Sequence, residues 1–487
     1  MCHYISRLSQ GQQGVSSLPY LSCDRKKESI RSAWNKTIDD KEEKNKKMQS
    51  FLVPGFVTLL LTALVSAKAK DSSRMQVQQL QNDENILQSL FVKDLAMTQA
   101  NFGFDLYRGI ASKRPGENLF MSPLTTSVAL SMLSVGAGKR TKDLLSTVLH
   151  LTEAKSSNVH STFKHLIREI KEGDDSAQVA SRIFVKKGTH LKEEFTNMLN
   201  KYYDARPETL LGIQDKDLYI INKWVEDKTE GNIKELLKSL PENLSLIILS
   251  AIHFKGEWKY KFDTKHTTPQ PFHLNAENAS EVPMMFNQRY SVKLGYLHSQ
   301  DQEMLNCMIL QIFFKQGKSL VVFLPNEINA NLTALENMLT AKLVNDQIQQ
   351  NLMKTEIRLY LPKFKLESQQ DLIPSLSELG LGELFTSADL HKISDEPLVV
   401  SAVQHRAAIE IAEEGAEASA ATVVIHSRSG MSITEVRVDR PFLFLIRDDT
   451  NKAVLFIGRY VNPGGPIIPV KTAQLSDIHL EEFDIER

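Results

Sequence analysis

The chain contains little cysteine. Three cysteines occur in 487 residues, and Cys2 and Cys23 both precede the apolar segment near the amino end, so Cys307 alone follows it. A secreted product that begins after that segment has no internal disulfide, which excludes a small disulfide-stapled module and favours a large domain stabilised by its core. Because residues 304–310 are mostly apolar, we expect Cys307 to be buried as a small apolar side chain.

The chain also has no excess of charge of either sign. Lysine and arginine total 58 against 59 for aspartate and glutamate, which gives a formal net charge of −1. This balance gives no reason to expect a nucleic-acid partner. The basic cluster at Lys186, Lys187 and Lys192 is interpreted as a solvated face, and a heparin-like glycosaminoglycan stays open as its alternative partner.

The apolar segment near the amino end is too short for a membrane span. Residues 51–65 are interrupted by Pro54, follow several lysines and end at small residues, whereas a spanning helix needs about 20 apolar residues. This pattern is typical of a secretion signal. We expect residues 1–47 to be an upstream extension absent from the mature protein, 48–67 a signal peptide and 68–92 a flexible leader, with a secreted, extracellular product.

Enzyme signatures are missing as well. The sequence has no Gly-x-Ser-x-Gly turn and no His-Glu-x-x-His zinc pair, and its 13 histidines are scattered. Residues 136–140 resemble half of a phosphate-binding loop, but Leu133 replaces the leading glycine and Arg140 replaces the serine or threonine that binds magnesium. We therefore expect no enzymatic activity, no cofactor and no metal site.

Helical periodicity dominates the first half of the chain and strand composition the second. Apolar residues recur at three and four positions in 125–135 and 218–239, which predicts helices. Strands are predicted at 246–254, 319–323, 356–361, 399–403 and 442–446. Helices followed by strands without regular alternation favour an α+β fold over a doubly wound sheet. Residues 464–487, which begin with a Gly-Gly-Pro sequence, are expected to form a mobile carboxyl-terminal tail.

Small residues alternate with polar ones just after the predicted strand at 399–403. In an extended chain Ala416, Ala418, Ala420 and Thr422 share one face, and Gly415, Glu417, Ser419 and Ala421 share the other. The first face is small and uncharged, so it can be buried in a sheet without overpacking or loss of hydration. A short solvated helix is the alternative, since alanine and glutamate are good helix formers.

Several stretches occur in an order and spacing that resemble the serpin family of protease inhibitors over about 370 residues. They are Asn101–Tyr107, Asn118–Leu124, Ile221–Val225, Thr229–Ile233, Ala251–Trp258, Phe323–Pro325, Leu361–Phe364, Val403–Ala407, Asp439–Phe444 and Phe456–Pro463. Within the family, the sequence is most similar to the branch that holds pigment epithelium-derived factor and α2-antiplasmin. The resemblance implies a monomeric serpin domain at 93–463, with helices packed on a large central β-sheet, a second, barrel-like set of strands and an exposed reactive-centre loop.

The resemblance also implies a mechanism. The loop is bait for a serine protease, cleavage forms an acyl-enzyme, and the hinge then inserts into the central sheet and carries the protease with it. The hinge corresponds to Glu414, Gly415, Ala416, Glu417, Ala418, Ser419, Ala420, Ala421 and Thr422. Some thirteen extended residues span roughly 40 Å, a displacement that distorts the protease before deacylation.

Two further sets of residues match positions that the family uses. Ser122, Pro123 and His405 correspond to residues that control sheet opening, while Ser250 stands where many relatives have asparagine. A thirteen-residue step from Gly415 reaches Arg428 and a fourteen-residue step reaches Ser429. Arg428 is the preferred reactive-site residue, because a trypsin-like pocket holds a carboxylate that pairs with guanidinium. The alternative interpretation of Arg428 is a solvated loop charge.

Three sequons follow the apolar segment near the amino end. Asn331, Asn243 and Asn278 are acceptors for glycosylation on a secretory route.

The alternative function is a non-inhibitory extracellular serpin with a signalling, heparin-binding or matrix-binding role, like pigment epithelium-derived factor. The hinge discriminates between the two, since residues 417–422 are free of proline, which obstructs strand insertion.

Overall fold

A computed structural model of the chain describes residues 84–154, 156, 158–171, 176–298, 306–330, 332–414 and 433–470. The backbone divides into Met1–Glu84 and Asn85–Arg487, so every described residue except Glu84 lies in the second unit. The predicted upstream extension, the signal peptide and most of the leader lie outside the described residues. So do Asn331, the hinge from Gly415 onward, Arg428 and Ser429.

Helices supply most of the first half of the described chain. They are α1 (84–111), α2 (Pro123–Val135), α3 (Lys139–Val148), α4 (Val159–Lys171), α5 (Glu193–Tyr203), α6 (Gln214–Lys228), α7 (Leu332–Met338), α8 (Ala341–Asp346) and α9 (Ile373–Leu376). Short 3₁₀ turns occur at Leu151–Glu153, Thr264–His266 and Gly382–Phe385, and π-helical turns at Gln347–Asn351 and Ser377–Leu381.

The strands form two sheets. They are β1 (Leu119–Met121), β2 (Ala177–Val185), β3 (Glu208–Thr209), β4 (Leu246–Lys255), β5 (Thr268–His273), β6 (Asn278–His298), β7 (Asn306–Phe313), β8 (Lys318–Pro325), β9 (Met353–Pro362), β10 (Phe364–Asp371), β11 (Val400–Ile411), β12 (Glu435–Arg437), β13 (Phe442–Asp448), β14 (Val454–Tyr460) and β15 (Ile467–Pro469). The central sheet has five strands in the order β10-β11-β4-β2-β3. The second sheet has ten strands, with β1-β14-β13-β8-β7-β6-β9-β12 as its main path and β5 and β15 also paired with β6. The arrangement confirms the predicted α+β fold.

The predicted elements are found, but several boundaries differ. Strands β4, β8, β9 and β13 contain four of the five predicted strands, and β11 contains all but residue 399 of the fifth; the observed strands extend beyond most of the predicted ends. The helix predicted at 218–239 instead begins at Gln214 and ends at Lys228. Glu230 and Gly231 then adopt left-handed φ values of 52° and 79°, a conformation that ends helices.

Two boundaries predicted for the termini also need correction. Residues 84–92, expected to belong to the flexible leader, are the first turns of α1, whose buried face includes Val92 and Leu95. Residues 467–469, expected to belong to the mobile tail, form β15 and pair with Asn278–Ser280 of β6. Residues 84–92 continue along an apolar surface of the core, and residues 467–469 continue along the edge of β6. Sequence composition reveals neither surface.

Two interpretations from the sequence, for Cys307 and for residues 136–140, can be compared directly with the packing of the core. Cys307 is 1% exposed, and burial raises the pKa of its thiol to about 12, so it is the buried apolar residue expected. A Cβ atom at Gly136 would lie 2.1 Å from Ile393, and one at Gly138 would lie 1.8 Å from Asp389. These glycines therefore serve close packing rather than a phosphate loop.

Candidate functional site

The central sheet contains a parallel seam between β4 and β11. The two strands pair directly from Val400 opposite Leu246 to Glu410 opposite Lys255, with His405 opposite Ser250. Their outer neighbours, β2 and β10, pair with them in the antiparallel sense. β11 ends at Ile411 and leads directly to the hinge sequence. The chain therefore leaves the seam at the carboxyl end of β11, which we call the upper end of the seam.

Both faces of the seam are covered, which explains the mostly apolar sequence of β4. On β4, Ile248 and Ile252 belong to the main core, whereas Ile247 and Leu249 pack in a second cluster that includes Ile221 of α6. A strand buried on both faces loses the polar alternation of a half-exposed strand. This explains why nine of the ten residues of β4 are buried.

A buried histidine connects the seam to the amino end of α2. The backbone N–H of Ser122 donates to Nε2 of His405 at 3.0 Å, and Nδ1 of His405 lies 2.9 Å from Oγ of Ser250. Because Nε2 accepts, the proton of the neutral ring is on Nδ1 and is donated to Ser250. His405 is 0% exposed, and burial lowers its pKa to about 3.

Ser122 and Pro123 hold α2 in position beneath this histidine. Ser122 is the helix N-cap and its Oγ accepts the N–H of Thr125 at 3.2 Å, while Pro123 occupies the first helical position, where its missing N–H costs nothing. A Cβ at Gly103 of α1 would lie 2.3 Å from Pro123. The structure therefore brings together the three residues for which the family resemblance implies control of sheet opening.

The upper end of the seam is closed by a set of contacts that we call the latch: Glu413, Glu414, Trp258, Lys255 and Lys363. The Glu413 carboxylate lies 2.8 Å from Nζ of Lys363 and accepts the Thr267 hydroxyl at 2.8 Å. Nζ of Lys255 bridges Glu410 at 3.1 Å and Glu414 at 3.0 Å. Burial alone would raise the pKa of Glu413, but the hydrogen bonds from Lys363 and Thr267 outweigh it and lower the pKa.

Contacts of the Trp258 backbone and indole complete the latch. Its backbone N–H donates to the carbonyl of Glu414 at 3.0 Å, and its indole N–H donates to the carbonyl of Ala412 at 2.5 Å. The indole is fully buried and stacks on Phe314 with a centroid distance of 4.3 Å. The first residues after β11 are thus held by a rigid aromatic platform.

A cavity of about 1030 Å³ opens beside the latch. Its wall includes Glu413, Glu414 and Lys363 as well as Phe262 and His266. Polar and charged groups dominate this wall, so the cavity is a polar, open cleft at the upper end of the seam rather than an apolar ligand pocket.

Sequence reasoning missed the latch. Trp258, Lys255 and Lys363 entered only as parts of family stretches, and Thr267 was not selected. Lys363 lies 50 residues before Glu413 in the chain, and local sequence pattern carries no signal for a pair so far apart. The adjacent carboxylates of Glu413 and Glu414 were the one available hint that cations converge there.

The remaining predicted sites fall partly within the described residues. Glu414 is described, whereas Gly415–Thr422, Arg428 and Ser429 are not. Asn243 is exposed and precedes β4. Asn278 is half-buried in β6, opposite Pro469 of β15.

The described ranges contain neither a cluster suited to a metal ion nor a helix suited to crossing a membrane. There, His, Cys, Asp and Glu residues form no group of three or more suited to a metal ion. None of the helices among these residues combines the length and apolar character that crossing a bilayer demands.

Comparison with known proteins gives concordant matches. The family model described as "Serpin (serine protease inhibitor)" matches residues 97–463. Human pigment epithelium-derived factor is 34% identical over 375 residues, which cover 77% of this chain and 88% of that protein. Mouse α2-antiplasmin is 36% identical over 378 residues, which cover 77% and 74%. The crystal structure of mouse protein-Z dependent protease inhibitor aligns with a TM-score of 0.69 and 27% identity, covering 77% of this chain and 100% of that one.

Proposed function

Because the chain belongs to the serpin family, we propose that it is a secreted inhibitor of a trypsin-like serine protease. Its relatives pigment epithelium-derived factor and α2-antiplasmin match the branch predicted from the sequence. The chain acts as a trap rather than as a catalyst. The observation that carries the proposal is the parallel seam of β4 and β11, which leads directly to a hinge of small residues.

The seam supports strand insertion for a geometric reason. A strand that follows β11 and turns back at its upper end runs antiparallel to both β4 and β11, so it can pair with each of them. Both strands already contribute to the core on one face and to the packing below α6 on the other. Ala416, Ala418, Ala420 and Thr422 add little volume when they join the main core.

Insertion requires two sets of contacts to break. Separating β4 from β11 removes the hydrogen bond between Ser250 and His405, and turning the chain after Ile411 removes the latch contacts of Glu413 and Glu414. These contacts resist opening in the intact protein. Ser250 offers His405 a single hydroxyl oxygen that both donates and accepts, where asparagine would offer a longer side chain with separate donor and acceptor atoms, so we expect the resistance to opening to differ from that in many relatives.

The chemical step begins at Arg428. The protease serine attacks its carbonyl carbon, an ester bond forms, and the amino group of Ser429 leaves with a proton. Water must then hydrolyse the ester to release the protease. Insertion of the hinge competes with that hydrolysis, and the inhibitor succeeds when insertion distorts the protease first.

A trypsin reaction analysed on a denaturing gel tests the proposal. We expect a covalent band with the combined mass of trypsin and the large inhibitor fragment, because the ester survives denaturation. Trypsin with its active-site serine replaced should give no such band, because no ester can form. Cleavage at Arg428 without a covalent band would mean that hydrolysis outruns insertion.

The second candidate function rests on similarity to pigment epithelium-derived factor, with 34% identity over 375 residues. A non-inhibitory extracellular protein of this type, with a signalling, heparin-binding or matrix-binding role, predicts neither a covalent band nor stabilisation by loop cleavage. Absence of both results in the trypsin experiment would therefore favour this candidate.

A further inference from the structure

The lower end of the seam, where β4 and β11 begin, is closed by contacts that are separate from the latch and from the buried histidine. The residue pairs of the two strands skip Ser401, which lies between Val400 and Ala402. An extra residue of this kind is a β-bulge, and a bulge turns its side chain away from the regular direction of the strand. The hydroxyl of Ser401 can therefore bond across the seam.

The partners of Ser401 belong to one of the glycosylation sequons, Asn243-Leu244-Ser245. The hydroxyl of Ser401 donates to the carbonyl of Asn243 at 3.2 Å and accepts the backbone N–H of Ser245 at 2.8 Å. The hydroxyl of Ser245 in turn accepts the backbone N–H of Val399 at 3.2 Å. Three atoms of the sequon thus hold the start of β4 against the start of β11, and we call these contacts the lower closure.

The acceptor residue of this sequon is accessible although its neighbours are engaged. Asn243 is exposed, whereas Ser245 is 8% exposed. An oligosaccharide on Asn243 would therefore stand in solvent at the lower closure. Asn278, the other acceptor among the described residues, is half-buried in β6 of the second sheet. Position in the fold thus distinguishes Asn243 from Asn278.

The proposed strand insertion brings the reactive-site residue down to the level of the lower closure. If residues 412–414 form the turn after β11, Gly415 is level with Ile411. The inserted strand then descends beside β11 and brings Arg428 level with Leu398, because both steps are thirteen residues. Complete insertion therefore ends just below the first residue of β11.

The same level on β4 belongs to the sequon. Val400 is opposite Leu246, so a level two residues lower is that of Leu244, next to Asn243. Neighbouring strands lie about 4.8 Å apart and successive residues about 3.3 Å apart, so the ester at Arg428 would end within about 10 Å of the Asn243 backbone. The trapped protease, which is attached through that ester, would come to rest against this part of the surface.

On the basis of the proposed inhibitory function, we propose that an N-linked oligosaccharide on Asn243 sets the fraction of protease that is trapped. The arriving protease and the oligosaccharide compete for the same space at the lower closure. Confining a flexible, hydrated chain between two proteins costs conformational entropy and hydration, and this cost opposes the last part of insertion. The oligosaccharide therefore slows insertion relative to hydrolysis of the ester, and more inhibitor is released in cleaved form.

The modification itself is an ordinary N-linked transfer. The amide nitrogen of Asn243 loses a proton and bonds to the first sugar of a lipid-linked oligosaccharide, and the lipid diphosphate leaves. Because transfer to the chain precedes folding, the later burial of Ser245 does not prevent it. The lower closure then forms with the oligosaccharide on its outer side.

Matched pairs of full-length proteins test the proposal. The parent and Asn243→Gln are each produced in secreting animal cells and in bacteria that attach no N-linked oligosaccharide, and each is then reacted with trypsin. In the secreted pair, we expect the ratio of cleaved inhibitor to covalent complex to be at least about threefold lower for Asn243→Gln, because the confinement cost is gone. In the bacterial pair the two ratios should be equal, since neither protein carries an oligosaccharide.

Asn278→Gln from secreting cells is the matched control, because it removes an acceptor of the second sheet and should keep the ratio of the parent. Peptide mass spectrometry measures the occupancy of Asn243. An unoccupied Asn243, equal ratios in the secreted pair, or the same difference in the bacterial pair would overturn this inference and leave the proposed inhibition standing. Absence of covalent complex from every protein would overturn the proposed inhibition and this inference together.

Discussion

At the scale of single residues, His405 links the pH of the solution to the stability of the seam. Burial lowers its pKa to about 3, whereas histidine in an unfolded chain titrates near 6.5. Between these values the unfolded state binds more protons, so the free energy of unfolding falls as the pH falls, by up to about 1.4 kcal/mol per pH unit for this group. We expect His405→Gln to remove that slope between pH 6 and pH 5, as measured by urea unfolding.

His160 provides the comparison for this prediction. Burial lowers its pKa to about 4, so it contributes a slope of the same sign in the same pH range. His160→Gln should remove the part of the pH slope that comes from His160 and leave the part that comes from His405 intact. A pH slope that His405→Gln leaves unchanged would show that His405 is not the group responsible.

Lys363 determines whether Glu413 is a paired or an isolated buried charge. The Glu413 side chain is 7% exposed, while that of Lys363 is 44% exposed. Lys363→Met leaves Glu413 with Thr267 but without a cation, and we expect a loss of about 2 kcal/mol in the free energy of unfolding. Urea unfolding at pH 7 measures this loss.

Lys365 offers a matched control two residues further along. It pairs with Glu367 at 3.3 Å, and both side chains are substantially exposed, at 57% and 44%. Lys365→Met should change the free energy of unfolding by less than about 0.5 kcal/mol, because exposed pairs contribute little. Similar losses in the two variants would contradict the assignment of Lys363 to the latch.

In the proposed mechanism, Arg428 determines the class of protease that is trapped. Replacement by alanine removes the guanidinium that pairs with the carboxylate in a trypsin-like pocket, and we expect the rate of trypsin inhibition to fall at least about 100-fold, equivalent to about 2.7 kcal/mol. Arg140→Ala removes an exposed arginine whose side chain is 81% accessible and should leave the rate unchanged. Retained inhibition by Arg428→Ala would assign the reactive site elsewhere, with Ser429 as the next candidate.

The predictability of the site differs from residue to residue. Ser122 and Pro123 lie more than 280 residues before His405, and only resemblance to a family placed them in one group. The latch was not predicted at all, because its ion pairs join elements that meet only after the sheets have formed. Sequence pattern alone revealed the small-residue alternation of 415–422, which is a local property.

At the scale of elements, burial on both faces made the strands of the seam easy to recognise and their ends difficult to place. β11 was predicted at 399–403 but extends to Ile411. His405, Arg406 and Glu410 interrupt its apolar composition, although His405 is buried and Glu410 is paired with Lys255. Tertiary partners thus turn polar residues into strand interior, which single-sequence propensity cannot anticipate.

The hinge element provides a test in which two adjacent residues predict opposite results. Ala420→Glu places a carboxylate on the face expected to enter the core, where burial of an unpaired charge is prohibitive. Ser419→Glu places the same group on the other face, which already carries the carboxylate of Glu417 in the parent sequence. We expect Ala420→Glu to be cleaved by trypsin with at least a tenfold smaller yield of covalent complex, and Ser419→Glu to behave like the parent.

Densitometry of denaturing gels, with the inhibitor at a fixed excess over trypsin, measures both the covalent complex and the cleaved inhibitor. Equal yields of covalent complex from the two variants would mean that the alternation of small residues has no part in trapping. Loss of complex from Ser419→Glu alone would mean that the opposite face of the hinge enters the core.

At the scale of the whole molecule, the body beneath the seam is fixed by a buried ion pair. Nη1 of Arg459 in β14 lies 3.0 Å from Glu336 of α7, and the hydroxyl of Tyr107 in α1 donates to the same carboxylate at 2.8 Å. Glu336 and Arg459 are 3% and 4% exposed. Removing one partner from such a pair is strongly destabilising, so we expect these elements to stay together during the proposed opening of the central sheet.

Loop cleavage should stabilise the whole molecule, because the inserted strand gains partners that the intact chain lacks. Some ten new ladder hydrogen bonds at about 0.5–1.5 kcal/mol each give a gain on the order of 10 kcal/mol, and we expect the melting temperature to rise by at least about 10 °C. Calorimetry before and after trypsin cleavage measures the change, and cleaved Ala420→Glu, which should not insert fully, serves as the control. An unchanged melting temperature in the cleaved parent chain would mean that its seam does not accept the hinge, and the inhibitory mechanism would then have no source of energy.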